Sequence, residues 1–369
     1  MNLLAIDGAP GTGKTRTIVE SSKTWGERSA VVTYTNDAAH VLHQRAPDIV
    51  AGTIYSLTWK YVSAFCTNKP MGTTSNLTYG KRRVHHVFDT ALEQYTKDAP
   101  GKRKVDRYDE MAKQLHAWRE GFPPFSLDKE QARGALKFLL PVARWVEAGC
   151  PIHPDEQVDL LVIDEAQDMS WLELRAAQGL VSDNGRIEAY GDPGQAIFGH
   201  SKGMIGNQLP PVWVASTDTQ VLDKGWRVGD NVATVASRVL SSYYNRPPHM
   251  FRAEHSTSLV GWEPNIPPTR GLVLGYSRFM VAKAFKNWNL SETGIVPKIA
   301  DADVELVLST GHAAKGAEAD DVYLLPWSKV ALDRLMKKDA ETLRLLYVML
   351  TRARKRVHIP ITLKARLPM

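Results

Sequence analysis

Short apolar runs, separated by helix-compatible segments, mark residues 1–60 and return after residue 155. Leu3 to Ile6, Ala30 to Tyr34 and Leu160 to Ile163 are almost entirely apolar, and Arg186 to Tyr190 also has the composition of a strand. Runs of this length are typical of strands that are buried on both faces of a parallel sheet. The pattern therefore predicts an α/β domain.

A second α/β pattern follows Pro210 and Pro211. Its predicted strands are residues 271–276, 304–308, 322–325 and 356–361, and its predicted helices are residues 230–243, 280–288 and 340–354. Residues 61–154 differ, because proline-bounded helical patterns replace the apolar runs. We therefore predict a first lobe (1–60 and 155–212), a helical insertion (61–154) and a second lobe (213–369).

The composition is that of a globular protein with a mild excess of positive charge. The 369 residues are 43% hydrophobic and 23% charged, with a net charge of +6 and a pI of about 9.1. These values exclude a disordered or fibrous chain and slightly favour polyanionic partners. Cys66 and Cys150 form neither a zinc pattern nor a disulfide framework, and no apolar run is long enough to span a membrane. We expect a cytoplasmic protein, or one of the host cytoplasm if the source is viral, without a membrane partner.

The most informative segment is Gly8 to Thr15, because its sequence GAPGTGKT matches the pattern G-x-x-x-x-G-K-[ST]. In such a loop the backbone N–H groups and the positive end of the following helix face phosphate oxygens. Lys14 is expected to reach the β- and γ-phosphates, and the Thr15 hydroxyl to ligate Mg²⁺. An accidental glycine-rich turn is disfavoured, because the spacing and both flanks agree. The predicted nucleotide-binding residues of the loop are Gly8, Ala9, Pro10, Gly11, Thr12, Gly13, Lys14 and Thr15.

Two later strands end in residues that suit phosphate hydrolysis. After Leu160 to Ile163, Asp164 is expected to hold Mg²⁺ through its water shell, and Glu165 to orient and deprotonate the attacking water. Two acids after a strand also suit a plain helix N-cap. After Tyr190, an ordinary turn sequence is followed by Gln195, which can sense a γ-phosphate.

Other polar and basic residues leave a nucleic-acid role open. Thr35 and Asn36 follow a predicted strand, at the sheet edge where α/β proteins bind ligands. Taken alone, Thr53 and Ser56 suit helix capping better than binding. Basic clusters within residues 81–107 are usually solvated surfaces, although they also suit nucleic-acid contact.

Eight segments in order resemble the superfamily 1 DNA helicases of the UvrD/Rep type. They are residues 8–15, 31–39, 51–57, 162–168, 190–198, 222–227, 308–326 and 343–356. The last two contain HAAKGAE (312–318) and LTRAR (350–354), which separate this branch from other phosphate-loop motors. The resemblance covers the chain apart from the helical insertion. It implies two RecA-like lobes with ATP and Mg²⁺ at their interface and single-stranded DNA crossing both.

The resemblance also implies roles for individual residues. Arg16 and Trp226 would sandwich the base, and Glu318 would bind the ribose. Gln195 would contact the γ-phosphate, while Arg227 and Arg352 would act as arginine fingers. The implied DNA-binding residues are Thr35, Asn36, Thr53, Ser56, Phe198, His200, Thr310 and His312, with Gly316 coupling the nucleotide to the DNA. Without the resemblance, Arg352 and its neighbours Arg354, Lys355 and Arg356 would be interpreted as the basic end of a helix, and for these three neighbours that interpretation stands.

The chain departs from the family pattern at three places. Only seven residues precede Gly8, so the family's adenine-reading glutamine segment is missing from the sequence and base selectivity is left open. After Phe198 the chain has Gly-His-Ser-Lys instead of a segment with Trp and Arg, so His200 is a substitute candidate for stacking on DNA. Residues 289–303 are too few for the large accessory domain that regulates unwinding in the family.

The sequence therefore predicts an ATP-dependent helicase that moves 3′ to 5′ on single-stranded DNA, acts at junctions with duplex DNA and works as a monomer. The alternative is a DNA-stimulated ATPase or translocase that remodels protein–DNA complexes without productive unwinding. A silent single-strand-binding scaffold is disfavoured, because the predicted catalytic residues Lys14, Glu165, Gln195, Arg227 and Arg352 are all present.

Overall fold

A computed structural model describes residues 2–25, 28–33, 36–67, 141–197, 209–241, 252–253, 256–288 and 306–367. Most of the predicted helical insertion and three predicted DNA contacts, Thr35, Phe198 and His200, lie outside these residues. Within them, no helix is long and apolar enough to cross a membrane.

The first sheet has six strands, and helices follow several of them in the chain. The elements are β1 (Asn2–Gly8), α1 (Lys14–Trp25), β2 (Ser29–Thr33), α2 (Asn36–Arg45), β3 (Val50–Thr53), α3 (Ile54–Thr67), β4 (Val158–Ile163), α4 (Trp171–Gly179), β5 (Val181–Gly191), α5 (Pro211–Ala215) and β6 (Asp218–Leu222). The strand order is β3-β2-β4-β5-β1-β6, and β2 pairs in parallel with β3 and β4, as does β4 with β5.

Several strands of this sheet are apolar in sequence because they are buried in the interior of the domain. Leu160 to Ile163 of β4 are buried, because both faces of the strand are covered. The surrounding core includes Trp145, Trp59 of α3 and Leu172 of α4. Helix α4 begins at a capping box in which Ser170 and Glu173 satisfy each other's backbone N–H groups.

The second sheet has five strands, all parallel. The second part of the chain contains β7 (Lys224–Gly225), α6 (Asp230–Ser241), β8 (Arg252–Ala253), β9 (Ser258–Trp262), β10 (Gly271–Gly275), α7 (Arg278–Asn287), β11 (Leu306–Thr310), β12 (Ala319–Leu324), α8 (Lys329–Met336), α9 (Ala340–Leu350), β13 (Ala353–Pro360) and α10 (Ile361–Lys364). The strand order of the sheet is β11-β10-β12-β13-β9, while β7 and β8 form a separate pair.

The described residues divide into two compact units. The first contains those of residues 1–6, 15–191 and 198–220. The second contains those of residues 7–14, 192–197 and 221–369. The phosphate loop and the Gln195 segment therefore belong to the same unit as the second sheet.

The prediction of two α/β lobes with parallel sheets is confirmed, and one predicted helix was wrong. We expected a helix over residues 340–354, but α9 ends at Leu350 and β13 begins at Ala353. The Thr351 hydroxyl donates to the carbonyl oxygens of Tyr347 (2.9 Å) and Val348 (3.1 Å), so side-chain donors replace the backbone donors of a further turn. Strand β9 was not predicted.

Candidate functional site

The phosphate loop connects β1 to α1 and has the backbone that its glycines permit. Gly11 and Gly13 adopt left-handed conformations, with φ of 78° and 86°. The Lys14 ammonium donates to the carbonyl oxygens of Gly8 (2.7 Å) and Ala9 (3.4 Å), and the Thr12 hydroxyl donates to the Ala9 carbonyl oxygen (2.9 Å). The loop therefore curves around a positive charge at the N-terminus of a helix, which suits a bound phosphate.

Trp226, a predicted nucleotide-binding residue, and Arg227, a predicted arginine finger, contact this loop from the second unit. The backbone N–H of Trp226 donates to the Gly11 carbonyl oxygen (2.8 Å). The Trp226 side chain is 51% exposed, with the Lys224 ammonium 4.1 Å from the ring centroid, so one ring face already accommodates a cation. Arg227 forms an ion pair with Glu318, so a predicted arginine finger and the predicted ribose ligand lie side by side.

The contact between Gly11 and Arg227 leaves no room for a side chain on Gly11. A Cβ atom there would lie 2.3 Å from the Arg227 Cβ and 3.0 Å from its backbone nitrogen. We expect Gly11→Ala to displace Arg227 and to weaken nucleotide binding at least about tenfold. The new Cβ atom would overlap with Arg227, and this steric cost adds to the about 1–2 kcal/mol that a left-handed backbone costs a residue with a side chain. Fluorescence titration with a labelled nucleotide measures the affinity.

Gly149→Ala is the matched control for this prediction. Gly149 also has a left-handed backbone (φ 80°), but a Cβ atom there would meet nothing within 4 Å. In Gly149→Ala only the left-handed backbone is unfavourable, so this variant should have a lower melting temperature and an unchanged nucleotide affinity. Equal affinities for the two variants would contradict the role of the Gly11 contact.

Asp164 and Glu165 directly follow β4, as predicted. Glu165 adopts a left-handed backbone (φ 54°, ψ 39°), which is uncommon for a residue with a side chain and is frequent at functional sites. The Asp164 carboxylate accepts from the Glu165 N–H (3.0 Å), and the Gln167 amide donates to the Glu165 carboxylate (2.5 Å). Both acids are thus oriented by short-range hydrogen bonds.

Gln195 lies in a buried hydrogen-bonded network. Its amide nitrogen donates to the Asp192 carboxylate (2.9 Å), and its amide oxygen accepts from the Arg352 guanidinium (2.9 Å). The Tyr347 hydroxyl donates to the same Asp192 oxygen (2.8 Å), and the Lys315 ammonium donates to the Gln195 backbone carbonyl (3.1 Å). The predicted γ-phosphate sensor is therefore joined to a predicted arginine finger.

Burial governs the ionisation of this network. Burial, followed by the charge of Asp7, raises the pKa of Asp192, against the opposing effects of Lys14 and of hydrogen bonds from Gln195 and Tyr347. Burial and the Asp192 charge raise the pKa of Tyr347 well above its usual value. The Tyr347 hydroxyl therefore keeps its proton and acts as a donor.

Arg352 is held at the end of α9. It is 1% exposed, and besides Gln195 its guanidinium donates to the carbonyl oxygens of Val348 (3.0 Å) and Ala317 (3.4 Å). The alternative interpretation assumed that the basic residues after Arg352 form the end of a helix, and this was wrong. Arg354, Lys355 and Arg356 lie on β13 and form ion pairs with Asp320 and Asp321 of the neighbouring strand β12.

The predicted DNA-binding residues that are described mostly make local contacts. The Ser56 hydroxyl donates to the Thr53 carbonyl oxygen (2.8 Å), and the Ser56 N–H donates to the Thr53 hydroxyl (3.2 Å), so this pair caps the start of α3. The Thr310 hydroxyl accepts from the Ala313 N–H (3.2 Å), and His312 faces Glu341 at 3.6 Å. Asn36 begins α2. These contacts leave their role in DNA binding a prediction.

Arg16, the other predicted base-stacking residue, is exposed on α1. It pairs with Glu20 one turn later (2.8 Å), and both side chains are largely in solvent. Its guanidinium is thus accessible from outside the helix.

Sequence reasoning missed the roles of Asp192, Tyr347 and Lys315 in this site. All three lie within segments on which the family resemblance is based, and this position was the only feature of the sequence that could have indicated their roles. The missing information was their mutual contact, because Tyr347 and Asp192 are 155 residues apart in sequence.

The predicted metal ligands have suitable chemistry for Mg²⁺. A hydroxyl from Thr15 and a carboxylate from Asp164 are hard oxygen donors, the class that Mg²⁺ prefers, usually together with nucleotide phosphates. Among the described residues, no group of three or more His, Cys, Asp or Glu side chains is placed to hold a metal ion.

Three solved helicase structures match nearly the whole chain, at low similarity. A crystal structure of the Arterivirus nonstructural protein 10 helicase is 14% identical (TM-score 0.46) and matches 100% of this chain and 62% of its own. The PRRSV helicase is 15% identical (TM-score 0.48), and the match covers 99% of this chain and 54% of that helicase. The Arterivirus helicase in complex with DNA is 14% identical (TM-score 0.45), and the match covers 97% of this chain and 60% of that helicase. The chain thus spans less than two thirds of these structures.

Sequence comparison identifies the family. No curated protein matches the chain significantly. The profile of a AAA domain matches residues 1–200, and that of the UvrD-like helicase C-terminal domain matches residues 305–359. The first match covers more than half of the chain, and the second lies in the part that contains Glu318 and Arg352. The chain belongs to the UvrD-like superfamily 1 helicases, a family of ATP-hydrolysing enzymes.

Proposed function

We propose that this chain uses ATP hydrolysis to move 3′ to 5′ along single-stranded DNA and to unwind duplex DNA at single-strand junctions, acting as a monomer. The observation that supports this most is the contact of the Trp226 and Arg227 backbones with Gly11, which fixes both residues beside the phosphate loop. A loop that only bound phosphate would not need a flat ring and a guanidinium at this position. A motor needs both, because it must hold the base and stabilise the charge of the transferred phosphoryl group.

The substrate would be held by residues from three segments. Lys14 would exchange the carbonyl oxygens of Gly8 and Ala9 for β- and γ-phosphate oxygens, since an ammonium prefers a charged acceptor. Trp226 and Arg16 would stack on the base, and Glu318 would accept from the ribose hydroxyls. When bound, Mg²⁺ would be held by Thr15 and Asp164 and would neutralise charge on the phosphates.

Hydrolysis would proceed by in-line attack of water on the γ-phosphorus. Glu165 would accept the proton of that water as its oxygen bonds to phosphorus and the bond to the β-phosphate oxygen breaks, which yields ADP and phosphate. The Gln167 amide would keep the Glu165 carboxylate oriented. Gln195, Arg227 and Arg352 would stabilise the charge on the phosphoryl oxygens.

DNA contact would come from Thr35, Asn36, Thr53, Ser56, Phe198, His200, Thr310 and His312. The affinity is expected to be salt-dependent and almost independent of base sequence, because phosphate contacts and stacking are common to every base. The net charge of +6 is compatible with this partner.

The test is ATP hydrolysis with and without single-stranded DNA, followed by strand displacement on duplexes with a 3′ or a 5′ tail. We expect DNA to stimulate hydrolysis at least about tenfold and only the 3′-tailed duplex to be unwound. A Lys14→Ala preparation controls for contaminating ATPases and should show neither activity.

The other outcomes discriminate between functions. Stimulation without unwinding of either duplex would favour a translocase that remodels protein–DNA complexes. Unwinding of only the 5′-tailed duplex would show that the direction of movement is opposite to the proposed one. Stimulation of hydrolysis by RNA but not by DNA would show that the substrate is RNA. Absence of hydrolysis in every condition would contradict the motor function.

A further inference from the structure

The network around Gln195 contains two residues to which the proposed hydrolysis assigns no role, Asp192 and Tyr347. Both are buried, at 5% and 3% exposure. The Asp192 carboxylate accepts three hydrogen bonds, from the Gly194 N–H (2.9 Å), the Gln195 amide (2.9 Å) and the Tyr347 hydroxyl (2.8 Å). A buried carboxylate with three donors has a fixed position and orientation.

This arrangement determines which way the Gln195 amide faces. Arg352 can only donate, so it selects the amide oxygen, while an ionised Asp192 can only accept, so it selects the amide nitrogen. A flipped amide would place its oxygen against the carboxylate and its NH₂ group against the guanidinium. The amide nitrogen has two hydrogens and Asp192 accepts one of them, so the second can be donated to a phosphate oxygen.

We propose that Tyr347 is a positioning residue for Gln195: its hydroxyl fixes the Asp192 carboxylate, which together with Arg352 holds the Gln195 amide in the one orientation that donates to the γ-phosphate. This inference rests on the proposed function, since it concerns the same hydrolysis. Tyr347 itself does not touch the substrate. It acts through Asp192, and its contribution should exist only when Gln195 is present.

A purely structural role for Tyr347 would predict different behaviour. The ring packs within the second unit, where a Cβ atom on Gly194 would lie 3.2 Å from it, so loss of the whole side chain would disturb the fold. Tyr347→Phe keeps the ring and removes only the hydroxyl. The substitution therefore separates the hydrogen bond to Asp192 from packing.

The experiment is a double-mutant cycle between Tyr347→Phe and Gln195→Ala. Tyr347→Phe is expected to lower kcat for ATP hydrolysis about tenfold while KM changes less than about twofold, since the lost interaction orients a group for the transition state. In the Gln195→Ala background, Tyr347→Phe should change kcat less than about twofold. The same cycle on melting temperature, measured without nucleotide, should also be non-additive, because both residues share Asp192.

Tyr276→Phe is the matched control. The Tyr276 hydroxyl is also hydrogen-bonded, to Thr342 (3.2 Å), and it belongs to the same unit, but it is not part of the Gln195 network. We expect its kcat to stay within about twofold of that of the unmodified chain.

Three results would overturn the positioning role. They are a tenfold loss that persists in the Gln195→Ala background, a rise in KM that matches the fall in kcat, and a Tyr347→Phe protein that is unfolded at the assay temperature. The unmodified chain is assayed first, because an absence of hydrolysis there is a failure of the proposed function and not of the Tyr347 contact.

Discussion

Replacing Glu165 with Gln is expected to lower the rate of ATP hydrolysis by about 10²- to 10⁴-fold, the usual contribution of a general base. An amide cannot take a proton from the attacking water, whereas its size and its left-handed backbone (φ 54°) can remain those of the glutamate. The partner Gln167 can still donate to the amide oxygen of the new residue. Nucleotide affinity should therefore change less than a few-fold, which titration with a labelled nucleotide measures alongside the steady-state rate.

Glu173→Gln controls for the loss of a carboxylate as such. Glu173 is a buried glutamate of the same unit, and its carboxylate accepts from Ser170 at the start of α4 and from the Tyr55 hydroxyl. Its replacement should lower the melting temperature without lowering kcat, because it weakens a helix cap and no catalytic contact. If Glu165→Gln hydrolysed ATP at the unmodified rate, Glu165 would lose its proposed role.

The parts of the site that lie within one short segment could be predicted from the sequence. Glycines at positions 11 and 13 predicted a backbone that only glycine adopts easily, and both are left-handed in the structure. The apolar run Leu160 to Ile163 predicted a buried strand that delivers Asp164 and Glu165, because a run without polar residues suits a strand that is covered on both faces. Such predictions depend only on neighbours along the chain.

The remaining features depend on contacts between distant residues, which a single sequence does not encode visibly. The end of α9 at Leu350 was missed because Thr351 and Arg352 satisfy the last carbonyls with side chains. The basic residues after Arg352 were interpreted as a helix end, but Arg356 lies on a strand and pairs with Asp321, 35 residues away. The orientation of Gln195 likewise required Asp192 and Tyr347 to meet.

Arg352→Lys is expected to lower kcat by about a thousandfold, the lower end of the effect of an arginine finger, with little change in nucleotide affinity. The guanidinium donates at once to Gln195, Val348 and Ala317, and a single ammonium cannot reproduce that planar set of donors. Lys is preferred to Ala for the kinetics. Arg352→Ala would also leave buried carbonyl oxygens without donors and open a cavity, which costs about 2–5 kcal/mol of folding stability.

The control for this substitution is Arg356→Lys, which makes the same chemical change four residues further along the chain, on β13, where the side chain pairs with Asp321. Arg356 is half exposed and its ion pair with Asp321 can be kept by lysine, so kcat should stay within about twofold. Measuring kcat, nucleotide affinity and melting temperature for both variants separates catalysis from stability. Small and equal effects of Arg352→Lys on kcat and affinity would make Arg352 a structural residue that follows the end of α9, because an arginine finger acts on the transition state and not on the bound nucleotide.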